Sequence, residues 1–411
     1  MCWRAARWFC ATRRKTCSAV SWYVVHILVN NWSVNLAAGH YAMKTPVLRE
    51  VHVRMGARMG EFAGWELPID YGSSVAEVRA VREAVGVFDV SHMGRLTIVG
   101  NNAAEGLQSL LTNDISVLED GGGQYTLMTN DRGGVVDDLI VFRRSADEFQ
   151  LVVNASNHDK DIAWLRDRMP KDVRIEDRTL HTVLFAVQGS SAKDVLADAG
   201  FENPYSLRRF HIADGTINRI SVSVSRTGYT GEDGFEIECR KDDAEALWDI
   251  IMSVGSRFGI KPCGLAARDV LRTEAGLPLY GHEIDENISP VEAGLMRWVK
   301  LSKGEFCGRA AIATAAQSGT ARRIMGIRME GRFVPRSGDV VKCAEGDGKV
   351  TSGTFSPTLG CGIAMAFLPA ESKIGSEVSV DIRGTERLGL IVELPFYSRK
   401  NKPLEGNQNV S

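Results

Sequence analysis

The stretch GGVVDDLIVFR (133–143) sets Val135, Val136, Leu139, Ile140, Val141 and Phe142 around two adjacent acids. This β-branched and aliphatic run, opened by two glycines, predicts a mostly buried strand. Side chains alternate across a strand, so Asp138 shares a face with Ile140 and Phe142 while Asp137 shares the other with Leu139 and Val141. If both faces are covered, neither acid reaches water by choosing a side. An ionised carboxylate buried without partners is costly, so the pair calls for partners or a function.

The same reading predicts strands at GRLTIVG (94–100), QYTLMTN (124–130) and FQLVVN (149–154). The segment GWELPIDYG (64–72), with its Gly, Pro and aromatic residues, reads as a loop. A helix is expected over SSVAEVRAVREAV (73–85), with Ser73 or Ser74 as cap, Val75, Val78, Val81 and Val85 on one face, and Gly86 as its C-terminal stop. Helical periodicity returns at 190–200 and 243–259, and it opens the segment CGLAARDVLRTEAGLPLYGHEIDEN (263–287). From Arg322 onward short β-type runs (RIMGIRM, GDVVKC, GIAMAF, SEVSVDI, LGLIVELPF) alternate with turn-like text such as SGTFSPTLG (352–360). That spacing predicts a small all-β barrel. The expected organisation is α+β over residues 44–303, then a β-barrel over 320–398.

Composition changes this picture in one place. A hydrophobic content of 44% and a charged content of 24% belong to an ordinary soluble globular protein. Of the 49 lysines and arginines, five lie in the first 43 residues, which hold none of the 51 acids, so the remainder carries a net charge of −7. An acidic body offers no electrostatic footprint for nucleic acid. Residues 1–43 read either as an organellar transit peptide or as text before a true start at Met43. The second reading is favoured because a transit peptide should be richer in serine, and either way the segment is set apart from the fold. Its most apolar part is too short to span a bilayer. Three of the eight cysteines lie in this leader and no C-x-x-C pair occurs, so free thiols are expected and a structural zinc site is not.

Four segments look too particular for packing alone: FDVSHMGRL (88–96), the Asp137–Asp138 strand, SRTGYTGEDGFEIE (225–238) and the 263–287 segment. Each has a bland alternative. His92 reads as a structural histidine as readily as a catalyst, Arg268 and Asp269 as a salt-bridged helix end, and Glu236 as a residue facing water. No P-loop, G-x-G-x-x-G after a strand, H-E-x-x-H or G-x-S-x-G occurs. Buried acids combined with an arginine suit a ligand that joins a hydrogen-bonding heterocycle to a carboxylate, because arginine offers a forked donor.

These four segments, in this order, resemble the glycine cleavage T-protein family of aminomethyltransferases, as do KTPVLREVH (44–52), FAGWELPIDYG (62–72), PVEAGLMRWVKL (290–301) and SGTFSPTLG. The resemblance implies a three-domain cloverleaf around a central folate channel, two α+β lobes plus a C-terminal β-barrel. It implies transfer of a one-carbon unit from the aminomethyl-dihydrolipoyl arm of H-protein to tetrahydrofolate as co-substrate, with no metal. The products are 5,10-methylenetetrahydrofolate, ammonia and the dihydrolipoyl arm. Its setting is glycine catabolism and one-carbon metabolism, alongside the decarboxylase and dihydrolipoyl dehydrogenase components, with no nucleic acid or membrane as partner.

The resemblance also implies roles. Asp138 would be catalytic, with Asp137 structural on the other face. Glu236 would meet the pterin, Tyr229, Asn154 and Tyr125 would line its pocket, Met93 would supply an apolar wall, and Arg268 would meet the glutamyl carboxylate. Many relatives carry a basic or tyrosyl contact after a Pro-Phe near the C-terminus. Here LPFYSRKNKP makes Arg399 the nearest candidate. A cytoplasmic, bacterial setting is favoured, with a mitochondrial matrix if the leader is a transit peptide. The alternative reading is a folate-binding accessory protein of iron–sulfur enzyme maintenance. That relative's cysteine motif is missing here, where the chain reads GLPLYGHEID.

Overall fold

A computed structural model describes residues 43–399, so the expectations for the leader lie outside the described residues. The first lobe is an antiparallel sheet ordered Gly123–Thr129, Val135–Arg143, Glu148–Val153, Gly94–Val99 and Arg174–Asp177. Helices Ala103–Leu110 and His158–Arg168 contribute Leu107 and Leu165 to a core with Leu139, Val141 and Leu151. The second lobe has six strands, ordered Ile212–Ile217, Ile220–Ser225, Gly234–Arg240, Thr182–Gln188, Gly86–Asp89 and Lys261–Pro262. Helix Ala244–Gly255 packs Leu247, Trp248 and Ile251 into its core with Phe185, Phe235 and Ile237. The six strands between Arg322 and Val392 close into a barrel filled by Ile327, Val341, Ala364, Val380 and Ile391. The mixed α+β class with a C-terminal barrel is the one the sequence pattern anticipates. No described helix is long and apolar enough to cross a membrane.

Three local expectations need correction. GWELPIDYG is not a loop, because Trp65–Asp70 pairs with Arg58–Phe62 as a two-stranded ribbon. A ribbon is all edge, so Pro68 sits there without breaking a central ladder. The SGTFS half of SGTFSPTLG is not a turn but the end of strand Gly346–Ser356. Its small hydroxyl side chains serve a purpose given below. Gly86 does not cap the preceding helix, which runs Ser74–Glu83 with Ser73 accepting from the Ala76 N–H. Gly86 instead opens a strand, at a point where a Cβ would lie 2.6 Å from both Cys263 Sγ and Val81 Cγ2.

Helix Leu265–Glu274 joins the second lobe to the barrel, and it does so with buried charge. Arg272 pairs with Asp269 (2.8 Å) and Glu283 (3.0 Å) and donates to Ser352 Oγ of the barrel (2.8 Å). Glu274, fully buried, accepts from Arg82 (2.8 Å), from Thr358 Oγ1 (3.0 Å) and from the Ser356 hydroxyl. Those serines belong to the stretch that reads as a turn. Strand text there is short and polar because it must satisfy an arginine and a glutamate rather than fill a core. Removing one partner of a buried pair leaves an uncompensated charge. Glu274→Ala should therefore cost about 3–5 kcal/mol in denaturant-induced unfolding. A loss below about 1 kcal/mol, the scale of an exposed pair, would show that the seam does not depend on it.

Candidate functional site

The Gly133-Gly134 turn sets the geometry of the acidic strand. Gly133 has φ +81°, and a Cβ on Gly134 would lie 1.9 Å from Glu286 O, so the chain enters Val135–Arg143 against the 284–288 loop. The two aspartates then diverge as strand alternation requires. Asp137 is fully buried against the start of helix His158–Arg168. It accepts from the Asn154 backbone N–H (3.1 Å), the Asn154 amide (2.8 Å) and the Asn157 amide. Asp138, half-buried on the opposite face, accepts from Tyr125 OH at Oδ2 (2.9 Å) and from Asn154 Nδ2 at Oδ1 (2.8 Å). One amide thus touches both acids.

Burial, and next the charge of Asp137, push the Asp138 carboxyl up to about 7, against the opposing hydrogen bonds from Tyr125 and Asn154. Such a group can exchange a proton at neutral pH. Burial and the nearby Asp138 charge hold the Tyr125 phenol well above its ordinary value, so it serves as a hydrogen-bond donor.

A second wall carries Tyr229, Glu236 and Arg268. The Arg268 guanidinium lies over the Tyr229 ring, 4.7 Å from its centroid, and Tyr229 OH donates to Pro278 O. The Tyr229 phenol is raised mainly by burial and further by the charge of Asp138, against the lowering charges of Arg272 and Arg268. Asp269 pairs with Arg272, leaving Arg268 outside the salt-bridged helix end that the sequence allowed. Burial lowers the Arg268 guanidinium, and Tyr229 and Glu236 partly offset this. Glu236 is half-buried rather than facing open water and accepts from the Thr227 hydroxyl. Burial raises its carboxyl, while Thr227 and Arg268 draw it back.

Met93 is half-buried and packs against the core cluster that contains Phe88, Val90 and Val270. Its neighbour His92 is buried, edge-on to Phe62, with Nδ1 lacking a partner among the described residues. Burial and the Arg268 charge push the imidazole down to about 3, so it is neutral. The loop itself is pinned by structure: Asp89 binds His52 (2.9 Å) and Ser91, and buried Arg95 donates to the carbonyls of Ser91 and Met93. Arg399 is placed 3.6 Å from Asp233, which also pairs with Arg226 and Lys193. Tyr397, the residue directly after Pro395-Phe396, is held by Glu232 (2.6 Å) and stacked under Arg82.

Sequence reasoning missed three residues. Trp298 stands 5.2 Å from the Tyr125 ring and extends its wall. Asn157 and Asp161 stand behind Asp137. The signal for Asp161 was present: it shares the buried stripe of its helix with His158, Ile162 and Leu165. Among the described residues, no group of three or more His, Cys, Asp or Glu is placed to hold a metal ion.

Two family models match, the GCVT N-terminal domain over residues 48–303 and the glycine cleavage T-protein C-terminal barrel domain over 322–398. The chain belongs to the glycine cleavage T-protein family. An aminomethyltransferase of Geobacillus kaustophilus is 46% identical over 362 residues, 87% of this chain and 99% of its own. One of Bacillus subtilis is 42% identical, over 87% of this chain and all of its own. The crystal structure of glycine cleavage system aminomethyltransferase T from Bartonella henselae superposes with a TM-score of 0.81 at 36% identity, over 86% of this chain and 98% of that one. Membership makes the chain a transferase of the glycine cleavage system. Met93, Tyr125, Asp138, Asn154, Tyr229, Glu236 and Arg268 all fall in the span matched to the family's N-terminal domain, and Arg399 falls just beyond its barrel.

The raised Asp138 carboxyl also makes a stability claim. Its affinity in the fold, about 7, exceeds the ordinary 3.8, so the ionised form costs stability. The cost is absent below about pH 4 and complete above about pH 7. Asn at this position can still accept from Asn154 and contact Tyr125. Asp138→Asn should therefore stabilise the protein by about 1–2 kcal/mol at pH 8, a figure reduced for the side chain's partial access to water. The gain should vanish at pH 4. Denaturant titrations at both pH values check this, and an equal effect at each would refute it.

Proposed function

We propose that the chain transfers the one-carbon unit of an aminomethyl group, carried on the dihydrolipoyl arm of H-protein, to tetrahydrofolate. The products are 5,10-methylenetetrahydrofolate, ammonia and the dihydrolipoyl arm. The observation that carries this reading is Asp138: a carboxyl that changes protonation near neutrality, gripped from two sides by Tyr125 and Asn154 in a site shared with Tyr229 and Arg268. The names of the similar proteins support the transferase class over a folate-binding accessory role.

The donor set suits a reduced folate. Among the described residues Glu236 has one hydrogen-bond partner, Thr227, so its carboxylate can still accept from the amino and ring N–H groups of a pterin. Tyr125, Trp298 and Tyr229 offer ring faces, Met93 an apolar wall, and Arg268 a cation with no ion pair among the described residues, free to meet a carboxylate. Tetrahydrofolate as co-substrate supplies the two nitrogens that receive the carbon. Asp138 orients them, holds a proton between transfer steps and stabilises positive charge as the carbon–nitrogen bond to ammonia breaks. Tyr125 and Asn154 keep its two oxygens aimed. Asp137, on the far side of the strand, orders Asn154.

Turnover of purified protein with aminomethylated H-protein, with and without tetrahydrofolate, is the direct test. Asp138→Asn should lose about 10²–10⁴-fold in turnover while tetrahydrofolate affinity changes only a few-fold. Full turnover in that variant would remove Asp138 from the mechanism. Wild-type turnover should rise with pH through about 7, and the residual rate of Asp138→Asn should lack that limb. Arg268→Ala should weaken folate binding by about 10- to 100-fold, the range of a hydrogen bond to a charged group. Unchanged affinity for mono- and polyglutamylated folate would argue against its role.

A further inference from the structure

Behind the acidic strand, helix His158–Arg168 turns Asp161 inward on the stripe it shares with Ile162 and Leu165. Asp161 is fully buried, and neither of its carboxyl oxygens has a hydrogen-bond donor among the described residues. An ionised carboxylate there would carry the full cost of desolvation. Its neighbour Asp137 is equally buried but differently furnished, with N–H donors from the Asn154 backbone, the Asn154 amide and the Asn157 amide. Asn157 lies one turn before Asp161, whose backbone N–H donates to the Asn157 carbonyl (2.7 Å), so all four groups form one rigid corner.

Where two buried carboxyl groups meet and only one is ringed by N–H donors, the proton belongs on the other. Burial, and next the charge of Asp137, push the Asp161 carboxyl up to about 11. The remaining charged and titratable neighbours are few. Lys160, on the same helix, lowers Asp161 but is occupied by Tyr280 OH (2.7 Å) and Glu286 (3.1 Å). The 280–286 loop presents Tyr280, with Asp285 and Glu286 beside it. On the opposite face of the strand stands Asp138, hydrogen-bonded to Tyr125 and within electrostatic reach of Asp137 and Tyr229.

We propose that Asp161 is a positioning residue for the reaction at Asp138: it stays protonated, donates its hydrogen bond to Asp137, keeps that carboxylate charged, and through this charge and Asn154 governs the proton affinity of Asp138. The proposal rests on the reading of Asp138 as the reacting carboxyl. Its own content, which acid holds the proton, can be read without turnover. No bond is made or broken at Asp161, and its proton stays in place through the cycle.

The variants are Asp161→Asn, which keeps a donor toward Asp137 but cannot ionise, and Asp161→Val, which has similar bulk and no donor. Infrared difference spectra at pH 8 between wild type and Asp161→Asn should show the carbonyl band of a protonated acid, lost in the variant. The band lost in Asp138→Asn should titrate near pH 7 in both wild type and Asp161→Asn. In Asp161→Val, Asp137 competes for the proton, and the Asp138 band should titrate about one pH unit lower. The acid limb of turnover should follow the same pattern.

No protonated-acid band from Asp161 at pH 8 overturns the proposal. So does an Asp138 midpoint displaced in Asp161→Asn or unmoved in Asp161→Val. If Asp161→Val does not fold, the first spectrum and the Asp161→Asn titration still decide. Absence of turnover in wild type, with both bands as expected, would count against the transferase mechanism and leave the proton assignment standing.

Discussion

A charge removed from water must be met by a partner, and this requirement organises the chain around helix Leu265–Glu274. Arg272 and Glu274 are answered by Glu283, Arg82 and three barrel hydroxyls, so the seam between lobe and barrel is a set of paired charges. One turn away on the same helix, Arg268 has a tyrosine ring and no carboxylate in ion-pair contact among the described residues. Paired charges on this helix hold the fold, and the one left without an ion pair faces the site.

The acidic strand repeats the division on a smaller scale. Alternation sends Asp137 inward to three N–H donors and Asp138 outward to a phenol and one amide. Two carboxylates this close disfavour each other's ionisation, and Asp138, with fewer donors, is the one pushed up. Burial is the larger cause of that rise, and the charge of Asp137 is the next. Local instability at Asp138 is the counterpart of its ability to exchange a proton at neutral pH.

Much of this was legible in the sequence. The Gly-Gly entry, the strand and the opposite faces of its two acids follow from period-two alternation and turn chemistry. The amphipathic helices and the spacing of short β runs disclosed the α+β class and the barrel. The errors have a common origin. SGTFS and GWELPIDYG carry turn-like residues, yet both are strands, one because its hydroxyls answer buried charges and one because an edge ribbon tolerates proline. Gly86 stands where a helix stop is expected but is a point of close approach to Cys263 and Val81.

The linear text determined which segments are strands and helices and which residue types could do chemistry, because periodicity and turn preference are local properties. It could not decide which charges would be answered. Asp269 rather than Arg268 joins Arg272, Arg399 lies against Asp233, Trp298 backs Tyr125, and Asp161 meets Asp137 across a helix–strand contact. Each of those pairings joins groups from different elements or turns on which neighbour is nearer by a few ångströms. Electrostatic partnership depends on distance and burial in three dimensions, and only the packed structure supplies either.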